Sequence, residues 1–149
     1  MKRGKQMRKT GLNFISYLMV IILCLGISAC NDNDSSNDIW KDAIYTKDTE
    51  FGSGKNTVLV DVVAEDKTVT FTIHSDKENL GDALTEHGLI EGEKGTYGLY
   101  VKKVNWITAD YDINKSYWGF NKNGESMMTG VDGALIKDGD RFELVYTKQ

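Results

Sequence analysis

The 149-residue chain contains no proline, only two cysteines and only two histidines. Without proline, every chain reversal falls to glycine, asparagine and aspartate, which reach positive φ or bend the backbone by side-chain hydrogen bonding. The cysteines are Cys24, inside an apolar run, and Cys30 at its end. The body of the chain therefore has no pair of thiols with which to form an internal disulfide. His74 ends a strand-like run, and His87 falls in the last turn of a short helical pattern, where a positive ring suits the helix dipole. In the sequence, neither has a neighbour that would activate it. There is no Gly-x-Ser-x-Gly elbow and no His-Glu-x-x-His pair. No catalytic residue is assigned, and a non-enzyme without a cofactor is expected. Asp110, Asp112 and Asn114 imitate the first three ligands of a calcium loop, but Lys115 takes the glycine position and Asn121 that of the bidentate glutamate. No metal ligand is assigned either.

The first thirty residues decide where the rest would work. Lys2, Arg3, Lys5, Arg8 and Lys9 precede an apolar stretch from Leu12 to Ile27, broken only by Asn13, Ser16 and Gly26, and the run closes on Ile27, Ser28, Ala29 and Cys30. This is the layout of a secretory signal. The final tetrad resembles the lipobox of bacterial lipoproteins. The resemblance implies cleavage after Ala29, a diacylglyceryl group on the Cys30 sulfur, and an extracytoplasmic protein anchored to the membrane by its lipid. A spanning helix needs about 20 consecutive apolar residues, more than this run offers. Removal of residues 1–29 takes five basic residues and no acidic one, leaving thirteen basic against twenty-two acidic residues and a net charge of −9. No basic cluster remains for nucleic acid, and that class is excluded.

Asn31 to Asp38 is a run of Asn, Asp and Ser. That run has no apolar side chain to bury and reads as a tether, so residues 30–56 are taken as the lipidated cysteine, the polar tether and a lead-in, followed by a domain over 57–149. Thr57–Val63 and Thr68–His74 are β-branched runs joined by a short acidic turn. Val69, Phe71 and Ile73 share one face of the second run, which predicts an antiparallel hairpin. Asn79 then caps a helix with Leu80, Ala83 and Leu84 at helical spacing, and Gly88 stands as its C′ residue. Gly98–Ile107, Ser116–Phe120 and Arg141–Thr147 read as strands, with Asn123-Gly124 as a type I′ turn and Asp138-Gly139-Asp140 as a second tight turn. Hairpin, one helix, then strands predicts an α+β fold: a β-grasp-like mixed sheet with one short helix packed on one face.

Aromatic residues concentrate in the second half: Tyr97, Tyr100, Trp106, Tyr111, Tyr117, Trp118, Phe120, Phe142 and Tyr146. Trp118 and Phe120 share one strand face and Tyr117 takes the other. These rings either all pack internally or leave a docking surface for a flat or amphiphilic ligand. The segment from Tyr117 to Thr147 resembles the C-terminal domain of transcobalamin and intrinsic factor and the bacterial domain of unknown function DUF4430. It does so through its Tyr-Trp pair, the Met127-Met128 pair before Gly130-Val131, and the turn Lys137–Asp140 leading into Glu143 and Leu144. Leu80-Gly81-Asp82-Ala83-Leu84 matches that family's short helix, so the resemblance runs from about Thr57 to Thr147. It implies a β-grasp-like fold and, by position, Tyr117, Trp118, Met127 and Met128 as ligand contacts on one side of a corrin ring. The large helical domain with which the vitamin carriers close over their ligand is not encoded here. The functional expectation is a surface lipoprotein that binds a small ligand, a corrinoid such as cobalamin, without catalysis and passes it to a transporter. The alternative is a surface module for protein or glycan interaction.

Overall fold

A computed structural model describes residues 38–149; the expected signal segment, Cys30 and the polar run up to Asn37 lie outside the described residues. Nine strands form two sheets. The larger has the order β1 (Thr49–Gly52), β3 (Lys67–Ser75), β2 (Asn56–Ala64), β9 (Arg141–Lys148), β7 (Ser116–Lys122), β8 (Glu125–Ser126). The smaller is β4 (Ile90–Gly95), β5 (Gly98–Val104), β6 (Ile107–Thr108). Helix α1 (Leu80–Glu86) and the single-turn helix α2 (Tyr111–Asn114) complete the described elements, with 3-10 turns at Ile39–Asp42 and Val131–Gly133.

The expected hairpin is the spine of the larger sheet. β2 and β3 pair antiparallel from Asn56↔Ser75 to Ala64↔Lys67, closing on the acidic turn with Glu65 at φ 56°. Alternation then sorts the side chains: Val58, Val60 and Val62 join Val69, Phe71 and Ile73 in the core, while Thr68, Thr70 and Thr72 face outward. The C-terminal strand β9 runs parallel to β2 and antiparallel to β7, so it lies between the hairpin and the later strands. This parallel pairing of an N-terminal hairpin with the last strand, beside one helix, is the β-grasp-like mixed arrangement anticipated from the element order. Phe142 and Leu144 of β9 and Trp118 of β7 complete the inner face.

Helix α1 begins where the Asn79 side chain accepts the Asp82 N–H at 2.8 Å, and it ends at Gly88 with φ 64°. It seats Leu80, Ala83 and Leu84 in the core. Val101, Val104 and Ile107 bring the smaller sheet to the same core. On the outer face of the larger sheet, Asp61 is the one buried carboxylate among the described residues, only 6% exposed. It accepts two bonds from the Arg141 guanidinium at 2.7 and 2.8 Å and one from the Thr70 hydroxyl at 2.8 Å.

The stretch that imitates calcium-loop ligands is helix α2 with Asp110 as its N-cap: Asp110 Oδ1 accepts the N–H groups of Asp112 and Ile113, while Asn114 Oδ1 accepts the Ser116 N–H. These oxygens are occupied as caps. The Gly98–Ile107 run is not one strand, because Asn105 and Trp106 form a two-residue turn, at φ 49° and 68°, between β5 and β6.

Candidate functional site

The smaller sheet ends in a tight hairpin, Gly95-Thr96-Tyr97-Gly98, beside the loop Met127–Gly130. Together these segments line a groove of about 400 Å³, whose large side chains are those of Tyr97, Leu99, Tyr100, Met127 and Met128. Met128 is 93% exposed and Tyr97 85%, while Met127 is half-buried against the core. Large unpacked side chains with this much exposure contribute little to folding and offer contact area.

The groove walls are fastened by polar contacts. Gly130 N–H donates to Tyr97 O at 3.1 Å, and Leu99 N–H donates to Asp132 Oδ1 at 2.8 Å. Gly98 has φ 107°, and a side chain there would overlap Asp132 Oδ1. At Gly130 a Cβ would stand 2.8 Å from the same oxygen. Two glycines thus let one carboxylate reach between the hairpin and the loop, and they hold the groove open without a disulfide.

The sequence-derived contacts divide across this geometry. Met127 and Met128 line the groove. Trp118 does not line it: it is 7% exposed, facing the core with its ring edge-on to Tyr146 at 5.5 Å. Tyr117 is half-buried on the opposite face of β7. Tyr97 and Tyr100 were visible in the sequence only as aromatics. Their role depends on the turn between β4 and β5, which no local pattern marks.

His74 departs from its sequence reading, in which neither histidine had an activating neighbour, whereas His87 conforms to it. His74 Nε2 lies 2.6 Å from Glu50 Oε1, and its Nδ1 lies 3.0 Å from Thr57 Oγ1. Glu50 comes from β1, an edge strand paired parallel with β3, so the contact is invisible in the linear order. A neutral ring with its hydrogen on Nε2 satisfies both partners: it donates to the carboxylate and accepts from the hydroxyl. His87 packs its ring on Phe51 at 5.4 Å, and its buried Nε2 has no hydrogen-bond partner among the described residues; the Trp118 Nε1 atom is in the same position. Among the described residues, no group of three or more His, Cys, Asp or Glu side chains is placed to hold a metal ion.

The family model described as domain of unknown function (DUF4430) matches residues 78–148. A crystal structure at 1.30 Å of a Ruminococcus gnavus ATCC 29149 protein, to which metal binding is ascribed, is 33% identical; the match covers 64% of this chain and 99% of that one, with a TM-score of 0.60. The chain belongs to the DUF4430 family. Haptocorrin, solved in complex with Cbi, is a more distant neighbour at 16% identity and a TM-score of 0.52, which shows the shared fold. That match covers 66% of this chain but 26% of haptocorrin, so the DUF4430 protein spans about a quarter of haptocorrin's length. No curated protein matches. The family match starts at Glu78, so the β2–β3 hairpin precedes it although it belongs to the same sheet.

Proposed function

We propose that this DUF4430 protein is a lipid-anchored surface protein that binds a small ligand without chemistry, in the groove walled by Tyr97, Tyr100, Met127 and Met128. The observation that carries the reading is that groove: exposed aromatic and thioether side chains gathered on a frame that Asp132 and two glycines hold in place. Such a lining suits a flat, partly apolar molecule whose rim offers polar groups to the backbone. A corrinoid is the first candidate, supported by the fold shared with haptocorrin. The groove covers one side of such a ligand and no more, so the affinity is modest and suited to release toward a transporter. The lipid anchor on Cys30 follows from the Ile27–Cys30 tetrad.

The test is titration of the purified protein with cobinamide and cobalamin, read by corrinoid absorbance and by calorimetry. Tyr97→Ala and Met128→Ala remove exposed side chains, so the fold persists. Each is expected to weaken binding about tenfold, equivalent to about 1.4 kcal/mol. No heat and no spectral change with either corrinoid would refute the ligand assignment and leave the protein or glycan alternative. Full binding by the double variant would refute the groove.

A further inference from the structure

The large apolar side chains that the described residues leave exposed fall chiefly into two sets. Tyr97, Tyr100 and Met128 belong to the groove, and Leu135 stands by itself. The remaining four are Ile44, Trp106, Tyr111 and Ile113. Sequence separates them, but the fold brings them to the place where the described chain begins. Asp38 shares a surface cleft with Thr108 and Asn114, and these residues are close neighbours of Trp106 and Ile113 in the chain. Ile44 is brought to the same corner by Tyr45, whose N–H donates to Asn105 Oδ1 at 2.9 Å and whose carbonyl accepts from Asn105 Nδ2 at 2.7 Å.

Trp106 is the most telling member. It occupies the second position of the two-residue turn after Asn105 with φ 68°, a conformation that glycine adopts freely and a bulky residue adopts at a cost of about 1 kcal/mol or more. Packing offsets only part of that cost, since the residue is 48% exposed. Its documented company is the Lys103 ammonium, 4.7 Å above the ring, and Tyr111 has the same arrangement with Lys115, also at 4.7 Å. A ring with a lysine beside it is what a protein presents at the boundary between acyl chains and headgroups.

Position on the fold favours the same occupant. Only seven residues separate Cys30 from Asp38, so the described domain begins at most about 28 Å from that sulfur. Tyr97 and Trp106 flank opposite ends of β5, a seven-residue strand about 23 Å long. The groove and the Trp106 corner are therefore at opposite ends of the smaller sheet.

We infer that the corner formed by Trp106, Ile44, Tyr111 and Ile113 lies against the lipid surface, holding the ligand groove outward from the membrane. The inference rests on the lipid-anchor reading above. Asp38, Asp42, Asp110 and Asp112 lie among these residues with Lys41, Lys103 and Lys115, so ring burial drives the contact and charge does not. Contact should then persist on zwitterionic vesicles.

The experiment uses the full chain, processed in a bacterial host and reconstituted into phosphatidylcholine vesicles containing dibrominated phosphatidylcholine. Trp40 and Trp118 are buried, so bromine can reach only Trp106. The expected result is loss of the Trp106 share of the emission, no such loss in Trp106→Gly, and shielding of Trp106 from aqueous iodide. Glycine suits φ 68°, so the variant folds, and its corrinoid titration should match the parent. Intact mass of the same preparation reports the lipid on Cys30. Lipidated protein whose Trp106 ignores bromine and stays open to iodide overturns the inference, pointing to a protein partner, and leaves the anchor reading standing. Protein without lipid overturns both.

Discussion

If Asp132 is the pin of the groove frame, adding one methyl group to the hairpin should be costly, and the cost should depend on a residue 34 positions away. Gly98→Ala places a side chain at φ 107°, which carries about 1–3 kcal/mol of backbone strain, and drives it into Asp132 Oδ1. If the carboxylate swings out, Leu99 N–H loses a charge-assisted acceptor now at 2.8 Å, a loss of about 1.5–3 kcal/mol for a well-desolvated bond. Asp132 is partly exposed and water recovers part of that, so the expected total is about 2–4 kcal/mol. Asp132→Ala alone removes the hydrogen bond but also the obstacle. In that background the added methyl should cost only the backbone share, a coupling of about 1–2 kcal/mol in the double-mutant cycle. Urea unfolding followed by tryptophan emission measures all four corners. A Gly98→Ala cost below about 0.5 kcal/mol, or one that is equal in both backgrounds, would refute the reasoning.

Asn79→Ala deletes the acceptor that begins helix α1 and should cost about 1 kcal/mol in thermal unfolding, recovered largely by Asn79→Ser. Arg141→Ala leaves the Asp61 carboxylate buried with the Thr70 hydroxyl as its remaining side-chain partner; about 1–3 kcal/mol of stability should be lost in urea, less when Asp61→Asn removes the charge as well. Lys102 has its pKa raised, chiefly by its hydrogen bond to Glu93 at 2.9 Å. The folded pKa exceeds the unfolded value of about 10.4, so the stability this pair contributes is complete below that pH and is lost as pH rises through the folded pKa. Glu93→Gln should lower the urea midpoint slightly at neutral pH and flatten that alkaline limb, so that variant and parent converge as pH rises from about 9 to 11.5.

The hairpin was legible because Val69, Phe71 and Ile73 alternate with threonines, and the helix because Asn79 and Gly88 punctuate it. Two strands left no such mark. β1 is the four-residue run Thr49–Gly52, too short for a period to emerge, and β4 buries only Ile90 of its six residues. Missing β1 concealed the Glu50–His74 pair, since the parallel partner of a strand cannot be read from local order. The groove was half legible. The Met127-Met128 pair came from family resemblance, whereas Tyr97 and Tyr100 depend on a hairpin whose turn, Gly95-Thr96-Tyr97-Gly98, resembles any surface loop. The family motif names Trp118 as a contact, whereas in the structure its side chain is buried. Strand alternation, which put it on the same face as Phe120, already pointed to the interior.

The last strand made is the one that joins the larger sheet. Until Arg141–Lys148 has left the ribosome, the hairpin and β7 have no common neighbour, and each presents a bare row of amides and carbonyls along one side. The parallel register of Leu59 with Arg141 spans most of the domain's sequence, so closure waits on a long-range encounter and is slow compared with hairpin formation. A chain still held by its C-terminus therefore stays open, and one trimmed before residue 141 loses not a tail but the keystone of its sheet.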